Sequence, residues 1–167
     1  MKPFNPITEG FGSRPIAVPL GQKFKHRVSI HDVPHRVCEL VCRAHHSYMP
    51  YARKNLTPVR HGIYIDDTLA GVITYSEPMS SVPINGIKRN HYFEVSRVAI
   101  GVDFTNLASC AMARSQKIFI DEYARKENID MLVTYVRDDY QGSMFEALSG
   151  LGWKYDSHSK GRQPGNK

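Results

Sequence analysis

The 167-residue sequence predicts one α/β domain, a mixed central β-sheet flanked by helices. Three observations carry this expectation. The length suits a single hydrophobic core, which is usually complete at about 100–200 residues. Runs of period two and runs of period 3.6 alternate along the chain, the pattern of strands joined through helices. The second half reads strand, helix, strand, helix, strand, and such crossovers require a sheet that is at least partly parallel.

The elements follow in order. Pro3, Pro6, Pro15 and Pro19 with Gly10 and Gly12 disfavour helix and central strand, so residues 1–25 read as an arm ahead of a domain spanning 26–160. Phe24 to Ile30 alternates as an edge strand. Asp32 is placed as an N-cap, with Pro34 in the first turn of a helix. Its apolar positions include Val33, Leu40, Val41 and Ala44, and it ends near His45, His46 and Ser47. Gly62 to Asp66 and Leu69 to Tyr75 form a hairpin about Asp66-Asp67-Thr68. Ser76 to Asn90, with Pro78, Pro83 and Gly86, is a loop.

Tyr92 to Ile100 is the strongest strand, and strict period two places Glu94 and Ser96 on one face and Arg97 on the other. Asn106 to Lys126 is a long amphipathic helix with Ala108, Ala111, Met112, Ser115 and Phe119 as its inner stripe, capped by Thr105 or Asn106. Ile129 to Val136 reads as a strand buried on both faces. A helix over Gln141 to Leu151 is stopped by Gly150 and Gly152, and Trp153 to Asp156 reads as a last strand. A basic tail begins at Ser157, with residues 161–167 outside the domain.

A composition of 41% hydrophobic and 23% charged residues argues against disordered and fibrous classes. No apolar run approaches the roughly 18 residues that span a bilayer, and MKPFNPITEG lacks the core of a signal peptide. The expectation is a cytoplasmic protein with no membrane partner. Cys38, Cys42 and Cys110 are odd in number and lack CxxC spacing, which favours reduced thiols. Cys38 and Cys42 share one helix face and read as buried small apolar groups. A formal charge of +6 attracts polyanions without choosing among nucleic acid, coenzyme phosphates and an anionic membrane.

Several side chains have functional chemistry beside a structural alternative. His45 and His46 stand at a helix end, where the dipole favours imidazolium and where either ring can also handle protons. The planar fork of Arg97 suits phosphate or carboxylate, or an ion pair with Glu94. Ser109, in the first turn of the long helix, suits an anion or a capping bond. Asp138 and Asp139 follow a strand at its carboxyl end, where open sheets place ligands and where surface turns also carry acids. Arg43, Arg53, Lys54 and Arg60 are interleaved with Tyr48, Tyr51 and His61, a mixture that suits a nucleic-acid strand or a solvated surface. A second basic group, Lys154, Lys160, Arg162 and Lys167, lies toward the tail.

The strand, loop, long helix, strand and short helix ending in Leu151-Gly152-Trp153 resemble the core of GNAT acyltransferases over residues 33–160. Within that superfamily four segments are similar to the Mom-like phage DNA-modification family. These are His45-His46, Glu94-Val95-Ser96-Arg97, Asn106-Leu107-Ala108-Ser109 and Gly142-Ser143-Met144-Phe145-Glu146-Ala147. The resemblance implies a GNAT-like fold, DNA as partner, and modification of the N6 amine of adenine that shields DNA from restriction. It implies acetyl-CoA or another acyl donor along Val98, Ile100, Asn106, Ala108 and Ser109. Arg97 and Ser109 would grip donor or phosphate, and His46 with Asp139 would manage protons. An iron held by His45, His46 and Asp139 is a further implication.

Two features depart from the pattern. Gly101 to Ser109 has no glycine at the helix entrance, where GNAT proteins cradle a pyrophosphate. Phe145 stands where Mom-like proteins have tyrosine, with Tyr135 and Tyr140 as substitutes. The alternatives are an acetyl-CoA-dependent N-acetyltransferase for a small amine or protein, and a catalytically inactive DNA-binding module. The oligomeric state stays open, a homodimer among the possibilities.

Overall fold

The computed structural model describes residues 27–46, 56–102, 106–136 and 143–157. Its elements are β1 (Val28–Asp32), α1 (His35–His45), β2 (Val59–Ile65), β3 (Thr68–Ser76), β4 (Tyr92–Ile100), α2 (Leu107–Phe119), β5 (Met131–Val133) and α3 (Ser143–Gly150). The helical path of α2 continues through a π turn, Ile120–Ala124, and Arg125–Glu127. Asn128 ends it in the left-handed conformation, so the long helix expected from the sequence is present.

The sheet runs β1-β2-β3-β4-β5, antiparallel up to β4 and parallel between β4 and β5. This is the mixed, helix-flanked sheet that the order of elements required. Strand β1 is the edge, tied to the β2–β3 turn by an ion pair between Arg27 and Asp66.

Four local expectations are corrected. Asp32 closes β1 instead of capping α1; Pro34 holds the N-cap position, and its carbonyl receives the amides of Val37 and Cys38. The proline forces Val33 to stay extended, so the helix cannot begin earlier. Asn106 precedes α2 with φ +66°, outside the extended geometry of a capping side chain, and makes no capping bond. β5 is three half-buried residues at the sheet edge, so it is not covered on both faces. Trp153 to Asp156 forms no strand; the Trp153 amide closes onto the Leu148 carbonyl, and its indole donates to Gln116.

Two cores lie on opposite sides of the sheet. Ile63, Ile65, Ile73, Tyr75, Phe93 and Val95 pack with Leu107, Ala111, Met112 and Phe119 of α2. On the other side Leu69, Val72 and Ala99 pack with Val33, Cys38, Val41 and Cys42. The two α1 thiols behave as expected of buried apolar groups: burial raises Cys38 to about 12 and Cys42 to about 11, which leaves them unreactive.

The α2-side core contains a hydrogen-bonded chain. The Ser115 hydroxyl lies 2.8 Å from His61 Nδ1 and 2.7 Å from the Tyr75 hydroxyl, all three buried. Tyr75 also stacks on Phe119 at 4.3 Å. Burial pushes the His61 imidazole below its ordinary value of 6.5, partly opposed by Asp32, 3.8 Å from Nε2. A neutral imidazole fits this interior and an imidazolium does not.

Two outcomes test this packing. A Cβ on Gly71 would lie 2.5 Å from the Ala99 carbonyl oxygen on the paired strand. Gly71→Ala should therefore lose about 1–3 kcal/mol in urea denaturation, the usual cost of overpacking. Because the folded pKa of His61 is lowered, its contribution is complete above pH 6.5. That contribution is lost as pH falls from 6.5 through the folded value. In His61→Gln this part of the pH dependence should flatten, and an unchanged slope below pH 6.5 would contradict the assignment.

Candidate active site

The site is set by one irregularity in β4. Thr74 of β3 pairs with Arg97 and the next residue, Tyr75, pairs with Val95, so Ser96 is an extra residue in β4. Residues paired across strands share a face. Ser76 pairs with Glu94, and Ser76 and Thr74 stand two apart on a regular stretch of β3. Glu94 and Arg97 therefore share the α1-side face. Strict period two placed Arg97 opposite Glu94; the bulge resets the alternation and overturns that expectation.

A row of hydroxyls covers this face. Thr57 lies 2.9 Å from Ser76, Ser76 lies 2.6 Å from Ser96, and Ser96 lies 2.9 Å from Thr74. Arg97 is buried beside them and donates to the Ser96 carbonyl. The end of α1 lies within electrostatic reach of the guanidinium. Burial, and then the Arg97 charge, push His46 below the ordinary histidine value, which favours a neutral imidazole able to accept a proton. The same charge partly offsets the burial that raises Cys42. His46 and Arg97, 51 positions apart in sequence, thus share one electrostatic environment.

This face is partly open to solvent between two covers. α1 packs over Ala99. At the other end of β4 the Tyr92 hydroxyl donates to the Val82 carbonyl at 2.9 Å, which holds the β3–β4 loop over that ring. Glu94 and Ser96 are half-buried between these covers. The ladder between β4 and β5 stops at Glu94 and Val133; beyond it the Thr134 hydroxyl donates to the Val95 carbonyl at 3.0 Å. Tyr135, two residues past Val133, faces Glu94, and burial followed by the charge of Glu94 raises its phenol.

The remaining expected residues stand elsewhere. Val98 and Ile100 pack against the α2-side core. Asn106, Ala108 and Ser109 surround the start of α2, whose first turn has no acidic residue. The Ser109 hydroxyl donates to the Asn106 carbonyl at 3.1 Å, a local helix bond. The expected donor residues thus cluster on the α2 side, with the sheet between them and His46. Asp138, Asp139 and Tyr140 lie outside the described residues, as do Tyr48, Tyr51, Arg53, Lys54 and the side chain of Phe145.

Two members of the expected basic and aromatic patch have structural roles. His61 is buried against α2 and presents no ring to a ligand. Arg60 donates to the carbonyls of Thr57 at 2.6 Å and Val33 at 3.3 Å. Among the described residues no three His, Cys, Asp or Glu side chains gather as metal ligands; the third expected iron ligand, Asp139, lies outside them. Glu94, Thr74 and Ser76 were not singled out as site residues; only their pairing across the bulge brings them to Arg97.

No family model matches the chain, and no curated protein matches it in sequence. Solved structures do resemble it. An integron cassette protein from the mobile metagenome of V. cholerae is 13% identical, with TM-score 0.57 over 84% of this chain and 94% of that one. A ribosomal-protein-alanine N-acetyltransferase from Brucella melitensis is 12% identical, with TM-score 0.57 over 81% and 98%. A possible acetyltransferase from Clostridium difficile 630 is 10% identical, with TM-score 0.51 over 83% and 99%. At these identities the likeness concerns the fold.

If Arg97 depresses His46, then Arg97→Met should raise the His46 pKa in an NMR titration, because the charge is removed while much of the burial stays. A His46 titration identical to that of the parent would break the link between the two residues. The single domain with its five-stranded mixed sheet has the fold of GNAT acetyltransferases.

Proposed function

We propose that this chain transfers an acyl-type group from an activated donor to the N6 amine of adenine in DNA, as the Mom-like resemblance implies. The observation that carries the reading is the meeting of His46 with Arg97. Both positions come from resemblance segments far apart in sequence, and the charge of Arg97 acts on His46. The formal charge of +6 agrees with a polyanionic acceptor.

A thioester such as acetyl-CoA, when bound, supplies an activated acyl carbon. The chain's own residues do the rest. The start of α2 offers unpaired backbone amides and a positive dipole end to donor phosphates, with Ser109 beside them. Arg97 supplies positive charge inside the opening, where low dielectric strengthens its pull on phosphate or on a developing oxyanion. As the amine nitrogen bonds to the acyl carbon, the thioester C–S bond would break. His46, held neutral, would accept the proton that the amine loses and return it to the departing thiolate, with the Glu94 carboxylate on the same face as a second acceptor. The residue Asp139 belongs to this proton route by resemblance.

A second reading, acetylation of a protein or small amine, is favoured by the shared fold of the Brucella enzyme, which its name describes as acting on ribosomal-protein alanine. One experiment separates them. The chain is expressed in bacteria, host DNA is digested to nucleosides, and both DNA and host protein are analysed by mass spectrometry. The proposal expects a new adenine derivative, lost in His46→Gln and in Arg97→Lys, which keeps the charge but not the fork. Unmodified DNA with newly acetylated protein amines from a folded, well-expressed chain would replace it with the second reading.

A further inference from the structure

The bulge in β4 carries a set of side-chain bonds that the proton route does not use. Ser96, the extra residue, is held through both its hydroxyl and its carbonyl. The hydroxyl lies 2.6 Å from that of Ser76 and 2.9 Å from that of Thr74, and it donates to the Thr74 carbonyl at 3.3 Å. The carbonyl receives the Arg97 guanidinium. One residue therefore joins β3 to the side chain of Arg97. On the other edge of β4 the Thr134 hydroxyl donates to the Val95 carbonyl at 3.0 Å, so the bulge is tied to the segments on both sides of it.

The protons of the hydroxyl row converge on the same residue. A hydroxyl donates once and accepts twice. With the Ser96 proton on the Thr74 carbonyl, the Thr74 and Ser76 hydroxyls both donate to Ser96, and Thr57 donates to Ser76 at 2.9 Å. Every proton of the row is then used, and both acceptor positions of Ser96 are filled. A hydroxyl so engaged has nothing left to offer a substrate, and its role is to hold. Thr74 and Ser76 are buried, so moving Ser96 from between them would strand two hydroxyl protons away from water, a costly state.

The extra residue of a bulge is left unpaired by the ladder, so backbone pairing alone does not fix it. Side-chain bonds supply what the ladder omits. We propose that Ser96 is a positioning residue: its hydroxyl, clasped by Thr74 and Ser76, locks the bulge of β4 and thereby fixes the face and the reach of Arg97. The catalytic consequence of this lock rests on the role proposed for Arg97 in adenine modification; the lock itself does not.

The test combines amide hydrogen exchange of the full chain, read residue by residue by NMR, with the yield of modified adenine per folded chain in the expression experiment above. In Ser96→Ala the amides of residues 95–97 should exchange about tenfold faster relative to those of residues 61–63 in β2, because the bulge opens locally. Modified adenine should fall about tenfold or more, since a displaced Arg97 no longer meets the reacting groups. Ser96→Thr keeps the hydroxyl and should restore both. Ser115→Ala removes a buried hydroxyl from the opposite face, so it should lower the melting temperature while leaving the ratio of the two exchange rates at the parent's value. A parental ratio in Ser96→Ala, or a threonine variant no better than the alanine one, overturns the proposal. So does a faster-exchanging bulge with undiminished adenine product, a result that leaves the proposed function standing. A bulge loosened by alanine and restored by threonine, in a chain that modifies no adenine, would uphold the lock and sink only the function proposed above.

Discussion

A strand whose ladder is continuous must alternate its side chains, and β4 escapes that rule at one place. Ser96 is the additional residue; were the ladder to run through it with regular alternation from Val95, Arg97 would point into the apolar core under α2. An unpaired guanidinium there would cost several kcal/mol. The bulge instead turns it to the side where α1 ends, next to the Ser96 carbonyl, the hydroxyl row and His46. The depressed histidine, the shared face of Glu94 and Arg97, and the location of the opening all descend from this single register shift.

The two faces of the sheet consequently have different duties. The α2 side carries the larger apolar core, and its one polar chain, Tyr75 to Ser115 to His61, is satisfied within itself. Such a network fixes how α2 sits on β2 and β3, because each of its buried groups would be costly to leave unpaired. The α1 side is apolar only beneath the helix and becomes polar where the helix stops. Rigidity on one face supports a partly solvated polar floor on the other, which is how precise placement and access coexist in a domain of this size.

The resemblance and the geometry meet in some places and part in others. His46 and Arg97 converge, while Ser109 opens α2 across the sheet and binds its own helix backbone. The β4–β5 ladder that borders these groups ends at Glu94 and Val133. The shared fold with acetyltransferases supplies that edge but not the acceptor, since one scaffold hosts many chemistries.

The sequence by itself determined the order of strands and helices up to the last helix, the parallel pairing at the end of the sheet, the turn at Asp66-Asp67 and the burial of Cys38 and Cys42. These follow from periodicity, turn chemistry and composition, which act over a few neighbouring residues. Tertiary structure decided which face Arg97 occupies, that His61 is a core residue and not a stacking ring, that Arg60 serves two backbone carbonyls, and that β5 is short. Each depends on register or on a partner tens of positions away. The period-two pattern of β4 has no mark that announces an extra residue; only its register against β3 does.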